Sequence, residues 1–499
     1  MIGHDVPPSP TRAAMIRAFS FLLSGNACAA GILLLRTVVI SHLINLENFG
    51  IGASLVLSLT LIEMLTALGF QQQIVNAPHG DDPNYHSALH GVAMIRGVFG
   101  AGVILVFAPP MADAFGLSHL VWAFQLMAVV PLMQGGVHLD VYRQTRQHKH
   151  RAAVWIALAP PLGSLIAVMP LSVLFDDFRI MLGALLVHMA LGTLVHHAVA
   201  KRPYRLRLNL AITLHSLHFG WPLMASGAVM FLVFNGERAI VGRFLGLEPL
   251  ALFSMAVSLT LVPSLVLMRS TMSFFLPRLT ACGGPNAFAD CAVNTLRGHI
   301  VLAGVMVALV SLLGAPFVQY VLDDIYRAAL PLLTLMSVAQ ALRVVKGGCA
   351  IVALGKGFRK TELMTDLLRI AFLPLAAWSV IQGASLVRVV QIAALGEGAG
   401  MVIALLWMNR VQHVPLRPLG PPMLWLAGTL IWAVLTHEDP LGYRIAGFMM
   451  LFAWMAMTLI GIRKILTRKG TDDGMEPPAV PGCLGNNNGL HIRLWSKNS

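Results

Sequence analysis

Fourteen apolar stretches, most of them about twenty residues long, divide this chain nearly from end to end, and they limit what it can fold into. A helix that crosses a bilayer needs roughly 20 mainly apolar residues. Candidates lie at 18–43, 50–69, 88–107, 118–138, 152–175 and 180–199, then at 218–235, 250–275, 298–319, 329–353, 364–381 and 389–409, with 423–436 and 443–462 at the end. Inside lipid every backbone polar group must be satisfied within its own segment, so such stretches fold as helices. The expected fold is an all-α polytopic membrane protein of about 14 transmembrane helices. A content of 57% apolar and 11% charged residues excludes an ordinary soluble domain. The first stretch is too long for a signal-peptide core and lacks a small-residue cleavage site, so it reads as an uncleaved first helix.

Charge placement sets the topology. With the N-terminus inside, the inner connections hold 21 Lys and Arg residues and the outer ones 6. This asymmetry predicts an even number of spans and both termini in the cytoplasm. It also explains the net charge of +13 without nucleic acid as a partner.

A pattern repeats along the chain. Arg36–Gly50 carries an intramembrane arginine, then Leu43, then a turn with Glu47 that opens an apolar run. Arg238–Leu252 repeats it with Leu245 and Glu248. Arg96-Gly97 and Arg297-Gly298 are echoes at nearly the same offset. The expected organisation is a cytoplasmic tail (1–17), an N-lobe of six helices (18–199), a basic linker (200–217), a C-lobe of six helices (218–410), two further helices (411–466) and a disordered cytoplasmic tail (467–499). Six is even, so the two copies share one orientation about an axis along the membrane normal. Spaced leucines and arginines in the linker predict an amphipathic helix on the inner surface.

These residues resemble a known family. Arg36 in helix 1, Leu43-x5-Phe49-Gly50, Leu68-Gly69-Phe70 and Arg96 in the first half are similar to oligosaccharide flippases of the polysaccharide-biosynthesis (Wzx-like) type. That type belongs to the multidrug/oligosaccharidyl-lipid/polysaccharide (MOP) exporter superfamily. In the second half Glu237-Arg238, Gly242-x2-Leu245-Gly246 and Leu276-Pro277-x-Leu279 fit the same pattern. Glu237 stands where the family more often has Asp, which keeps the charge. The resemblance covers about residues 15–410. It implies two parallel six-helix repeats in a two-lobed (MATE/flippase-like) bundle around a central cavity, plus two C-terminal helices. The substrate it implies is an undecaprenyl-diphosphate-linked oligosaccharide for exopolysaccharide or O-antigen synthesis, moved by alternating access. The implied partners are the lipid bilayer, the polysaccharide polymerase and other export machinery. Alternatives in the same superfamily are a lipid II flippase and a cation-coupled multidrug exporter. A membrane glycosyltransferase or polymerase is a rival from another class, and the short loops oppose it.

A diphosphate crossing a low-dielectric medium needs a hydrated cavity lined with cations, and arginine's planar fork suits phosphate oxygens. Arg36 is the first candidate; its alternative use is to reach the outer headgroups. Arg238 is its counterpart. Arg343 and Lys346, one turn apart on one face, are candidates for first capture of the diphosphate from inside or for part of the inner basic rim. Glu63, Glu237 and Glu397 are carboxylates for proton coupling or ion pairing. Asp366 and Arg369 are expected to pair with each other. The histidines cluster at inner connections without cysteine partners, and Cys28, Cys282, Cys291, Cys349 and Cys483 show no paired spacing. No metal, disulfide, cofactor or catalytic group is expected.

Overall fold

A computed structural model of the chain describes residues 12–436, apart from positions 148, 150 and 359, and a few positions between 442 and 453. Residues 1–11 of the expected N-terminal tail, the expected C-terminal tail and most of the fourteenth span lie outside the described residues, whereas residues 12–17 fall in helix. Among the described residues all regular structure is helical. The first half comprises α1 (Arg12–Ser41), α2 (Leu46–Leu65), α3 (Phe70–Asn76), α4 (Pro83–Ala114), α5 (Val121–Leu126), α6 (Val129–Gly135), α7 (Asp140–Arg146), α8 (Arg151–Leu174) and α9 (Arg179–Val199). The second half comprises α10 (Leu210–Phe244), α11 (Leu247–Ala281), α12 (Pro285–Val321), α13 (Leu330–Gly355), α14 (Lys360–Ile370), α15 (Leu373–Ile381) and α16 (Leu386–Gln412), with α17 (Gly420–Leu435) beyond it.

Local chemistry sets the helix starts. Asn45, Asp82 and Asn209 each accept a backbone N–H of the following turn, from Asn48 at 2.8 Å, Asn84 at 2.9 Å and Ile212 at 3.1 Å. Such caps satisfy N–H groups that the helix leaves free. Between α14 and α15 the ladder breaks at Ala371-Phe372, and Pro374 sits in the first turn of the new helix. Proline fits a first turn, where its missing donor is not needed. The break lies two residues after Arg369, inside the candidate span Leu363–Ile381.

Among the described residues eleven helices are long and apolar enough to cross a membrane, or twelve if the pair Ser118–Gly135 and Asp140–Arg146, bent by 49°, is one span. The expected first span is present as α1, whose apolar described portion, Gly25–Ser41, is shorter than the rest. Helix direction alternates, so the basic connections gather at one end, called the basic end here, and Asp113 at the end of α4 and the short connections holding Asp177 and Asp323 gather at the far end.

Both halves pack by one plan. In the first, α1 packs on α8, α4 on α5 and α6, and α8 on α9. In the second, α10 packs on α14 and α15, α12 on α13, and α14 and α15 on α16. Counted as spans, the first touches the fifth, the third the fourth, and the fifth the sixth in each half. The halves meet where α2 packs on α10 and α11. Within lipid, helices associate by close packing, and small residues let backbones approach. Gly50 does this on α2: a Cβ there would stand 2.1 Å from the Leu247 carbonyl oxygen. The two copies of the repeated motif therefore touch each other at the far end.

The linker differs from expectation. Lys201–Asn209 is not helical; regular helix begins at Leu210 and continues as α10. The strand-like segment is tied to the first half instead. The Arg207 N–H donates to the Ser87 carbonyl at 3.0 Å, the Lys201 N–H to Asp140 at 2.8 Å, and His138 bonds the Arg202 carbonyl at 2.9 Å. Those partners satisfy the backbone that a helix would have satisfied internally.

Candidate functional site

The midpoint of the second half holds a buried six-charge network. Arg343 lies thirteen residues from the start of α13 and twelve from its end. Its Nε donates to Glu397 Oε1 on α16 at 2.8 Å, and its Nη2 stands 2.6 Å from the same oxygen. One turn on, Lys346 Nζ bridges Glu397 Oε2 and Asp366 Oδ1, both at 2.9 Å. Arg369 on α14 donates to Glu237 Oε1 of α10 at 2.9 Å, and its Nε approaches Glu397 Oε1 at 2.5 Å. Three cations thus meet three carboxylates, and all six residues are buried. Removing ions from water is expensive unless each is paired, and here every charge has at least one opposite partner.

A cavity of about 360 Å³ opens beside this network, between α10, α11, α13 and α14. Phe234, Met230, Met268 and Met272 give it an apolar wall, and Arg269, Arg343, Lys346 and Asp366 give it a polar one. Arg343 lies 5.0 Å above the Phe234 ring. Arg269 is exposed and, among the described residues, makes no ion pair.

Among the described residues, Arg36 and Arg238 also lie inside helices with no carboxylate within ion-pair distance. Arg36 lies five residues before the end of α1, and Nη1 donates to Ser164 Oγ of α8 at 3.0 Å. Its Nε is buried without a partner. His188 of α9 lies within electrostatic reach. Arg238 lies six residues before the end of α10, donates to Asn235 Oδ1 at 3.2 Å, and likewise buries an unpartnered Nε. At 1.5 Å per residue both sit roughly 7–9 Å from the far ends of their helices.

Several expected pairings fall out differently. Arg343 and Lys346 share a face, as their spacing requires, but both are ion-paired inside the second half. Glu237 pairs with Arg369 of another helix and not with its neighbour Arg238. Asp366 and Arg369 do not pair with each other: an i, i+3 spacing allows contact, but here each turns to a longer-range partner. Glu63, near the basic end of α2, accepts from the Gln134 amide of α6. Arg96 acts on Glu63 only electrostatically, and its Nη2 donates to Thr66 Oγ1 at 3.4 Å. Arg297 donates to the Pro418 carbonyl at 2.9–3.1 Å and ties α12 to the segment before α17. Ser164, His188, Asn235 and Gln134 were not singled out by the sequence; polar residues in apolar runs are common, and only the fold shows which of them face a charge.

At the basic end, Asp140 is fully buried. Burial alone would raise its pKa, but Arg143 at 2.6 Å, the Lys201 N–H and the Gln144 amide outweigh it and hold the carboxyl down at about 2. Among the described residues no group of three or more His, Cys, Asp or Glu could hold a metal ion.

Known proteins share this pattern and fold. A family model described as polysaccharide biosynthesis protein matches residues 39–331. The succinoglycan biosynthesis transport protein ExoT of Rhizobium meliloti (strain 1021) is 23% identical over 248 residues, and the match spans about half the length of each protein. A structure of the lipid II flippase MurJ in an inward closed conformation superposes with a TM-score of 0.70 at 12% identity, covering 89% of this chain and 99% of that one. An inward-facing multidrug resistance MATE family transporter of the MOP superfamily gives 0.58 at 13% identity, covering 80% and 98%. At these identities the two structures show the fold: a two-lobed, MATE/flippase-like helical bundle.

Proposed function

The chain belongs to the polysaccharide biosynthesis protein family, and from that premise we propose that it flips undecaprenyl-diphosphate-linked oligosaccharide repeat units across the bacterial inner membrane. The basic end faces the cytoplasm, and residues 18–199 and 218–410 rock against each other as two lobes. The repeat units feed exopolysaccharide or O-antigen synthesis, and a polymerase on the outer side is the partner that consumes them. No bond is made or broken by this chain.

The observation that carries the reading is the contrast among the cations inside the helices. Arg36 and Arg238 occupy equivalent places in the two halves, and neither has a carboxylate partner. An unpaired charge at membrane depth marks a substrate or ion path, and a guanidinium with a free edge fits a phosphate oxygen. Arg343, Lys346 and Arg369 have their charge satisfied within the protein and serve the scaffold. Arg269, at the cavity and outside any ion pair, takes over the first-capture role expected of Arg343 and Lys346. The polyprenyl tail stays in lipid.

The carboxylates divide in the same way. Glu397 faces three cations and Glu237 one, so both are structural. Glu63 has a neutral amide and, among the described residues, no cation within ion-pair distance, so it is the one suited to carry a coupling proton.

A deletion strain tests this. It should accumulate lipid-linked repeat units on the inner leaflet, and wild-type protein should clear them, whereas Arg36→Ala at normal membrane level should not. Accumulation of peptidoglycan precursor would point instead to a lipid II flippase. Sensitivity to drugs without either lipid would point to a multidrug exporter.

A further inference from the structure

At the far end of the bundle the two halves touch, and one of the contacts is titratable. His42 follows the last residue of α1, and Asp323 follows α12. His42 Nε2 lies 2.7 Å from the Val321 carbonyl oxygen, and Nδ1 lies 3.3 Å from Asp323 Oδ2. Beneath this pair Phe49 and Tyr326 meet edge to face at 6.1 Å, both buried, and Gly50 lies against Leu247.

Both partners of His42 are acceptors. A carbonyl and a carboxylate have no proton to give: Nε2 donates to the carbonyl, and Nδ1 faces the carboxylate at ion-pair distance, a contact that attracts when the ring carries its second proton, since only the imidazolium has two N–H groups. We propose that His42 and Asp323 form a proton-dependent latch that holds the two halves together at the far end while His42 is charged. Loss of the ring proton leaves one nitrogen lone pair facing an acceptor and turns an attraction into a repulsion. The other ionisable groups of this contact are Glu47 in the first turn of α2, Tyr320 at the end of α12, Tyr326, and Asp324 with Arg327, which pair with each other at 2.9 Å. None of them is hydrogen-bonded to the His42 ring. The side chains of His42 and Asp323 are 42% and 51% exposed, so the latch is reachable by protons and its effect is modest. The consequence for export rests on the transport reading, whereas the latch itself rests on the geometry.

The ratio of joined to separated halves at the far end can be read without substrate. The full chain, with its native cysteines replaced, carries spin labels at Asp176→Cys and Gln382→Cys, exposed far-end positions in the two halves, and sits in nanodiscs. Histidine changes charge between about pH 5 and 8. Across that range the short-distance population should fall by about twofold to fivefold, the scale of an exposed ion pair. His42→Gln, and independently Asp323→Asn, should flatten the response. A pH response of equal size in both variants, or none in the unsubstituted labelled chain, overturns the latch. A retained response in a protein that fails to flip substrate leaves the latch standing and sinks the transport reading instead.

Discussion

Arg343 and Glu397 meet at 2.6 and 2.8 Å near the middle of the second half, with Lys346 and Arg369 on the same carboxylate. A carboxylate that neutralises three guanidinium and ammonium groups holds α13, α14 and α16 together. Glu397→Gln keeps the shape and leaves those cations facing too few anions. Breaking a buried pair in this way costs about 3–5 kcal/mol. The unfolding midpoint in detergent should fall accordingly. A midpoint equal to wild type would show that the network is not structural.

Gly50 tests the contact between the two copies of the repeated motif. In an isolated helix Gly→Ala stabilises by about 1 kcal/mol. Here the added Cβ would press on the Leu247 carbonyl, and forcing apart a well-packed interface costs typically 1–3 kcal/mol. Gly50→Ala should therefore lower the midpoint of unfolding rather than raise it.

The basic end should show an acid-dependent loss of stability through Asp140. Its folded-state pKa of about 2 lies below the roughly 3.9 of an exposed aspartate. A depressed carboxylate contributes stability above the unfolded value and loses it as pH falls through the folded one. The gap in unfolding midpoint between wild type and Asp140→Asn should be constant above about pH 5 and close toward pH 2.

Much of this architecture was legible in the sequence because lipid leaves a chain few choices. Long apolar runs had to be helices, and basic connections had to share one end. The repeated Arg36 and Arg238 stretches marked the equivalent points of two halves, and they meet at Gly50 and Leu247. Partnership was not legible. Arg343 and Lys346 share a face at i and i+3, but which carboxylate each one meets depends on how α13, α14 and α16 pack, and sequence spacing holds no record of that. The linker Lys201–Asn209 misled for a related reason. Its leucines and arginines suit a surface helix, yet the Ser87 carbonyl, the Asp140 carboxylate and the His138 ring of the first half claim its backbone.

Glu63 separates coupling from folding. Glu63→Gln keeps a group that can face the Gln134 amide, so the protein should reach the membrane at normal level. In proteoliposomes with an imposed proton gradient, the gradient-driven part of flipping should vanish while slow downhill flipping remains. Unaltered gradient-driven flipping would remove Glu63 from the coupling step.

The central claim is that Arg36 and Arg238 are cavity cations for a diphosphate, and flipping by purified protein tests it most directly. Proteoliposomes would carry a lipid-linked oligosaccharide on one leaflet, and its appearance on the other would be followed with a sugar-binding probe. Wild type should transfer it. Arg36→Ala and Arg238→Ala should slow transfer by tenfold or more, on the order of one lost charge-assisted contact to phosphate, while unfolding at a midpoint no lower than wild type, since each removes a half-buried charge with an unpartnered Nε. Transfer at the wild-type rate by both variants would contradict the account.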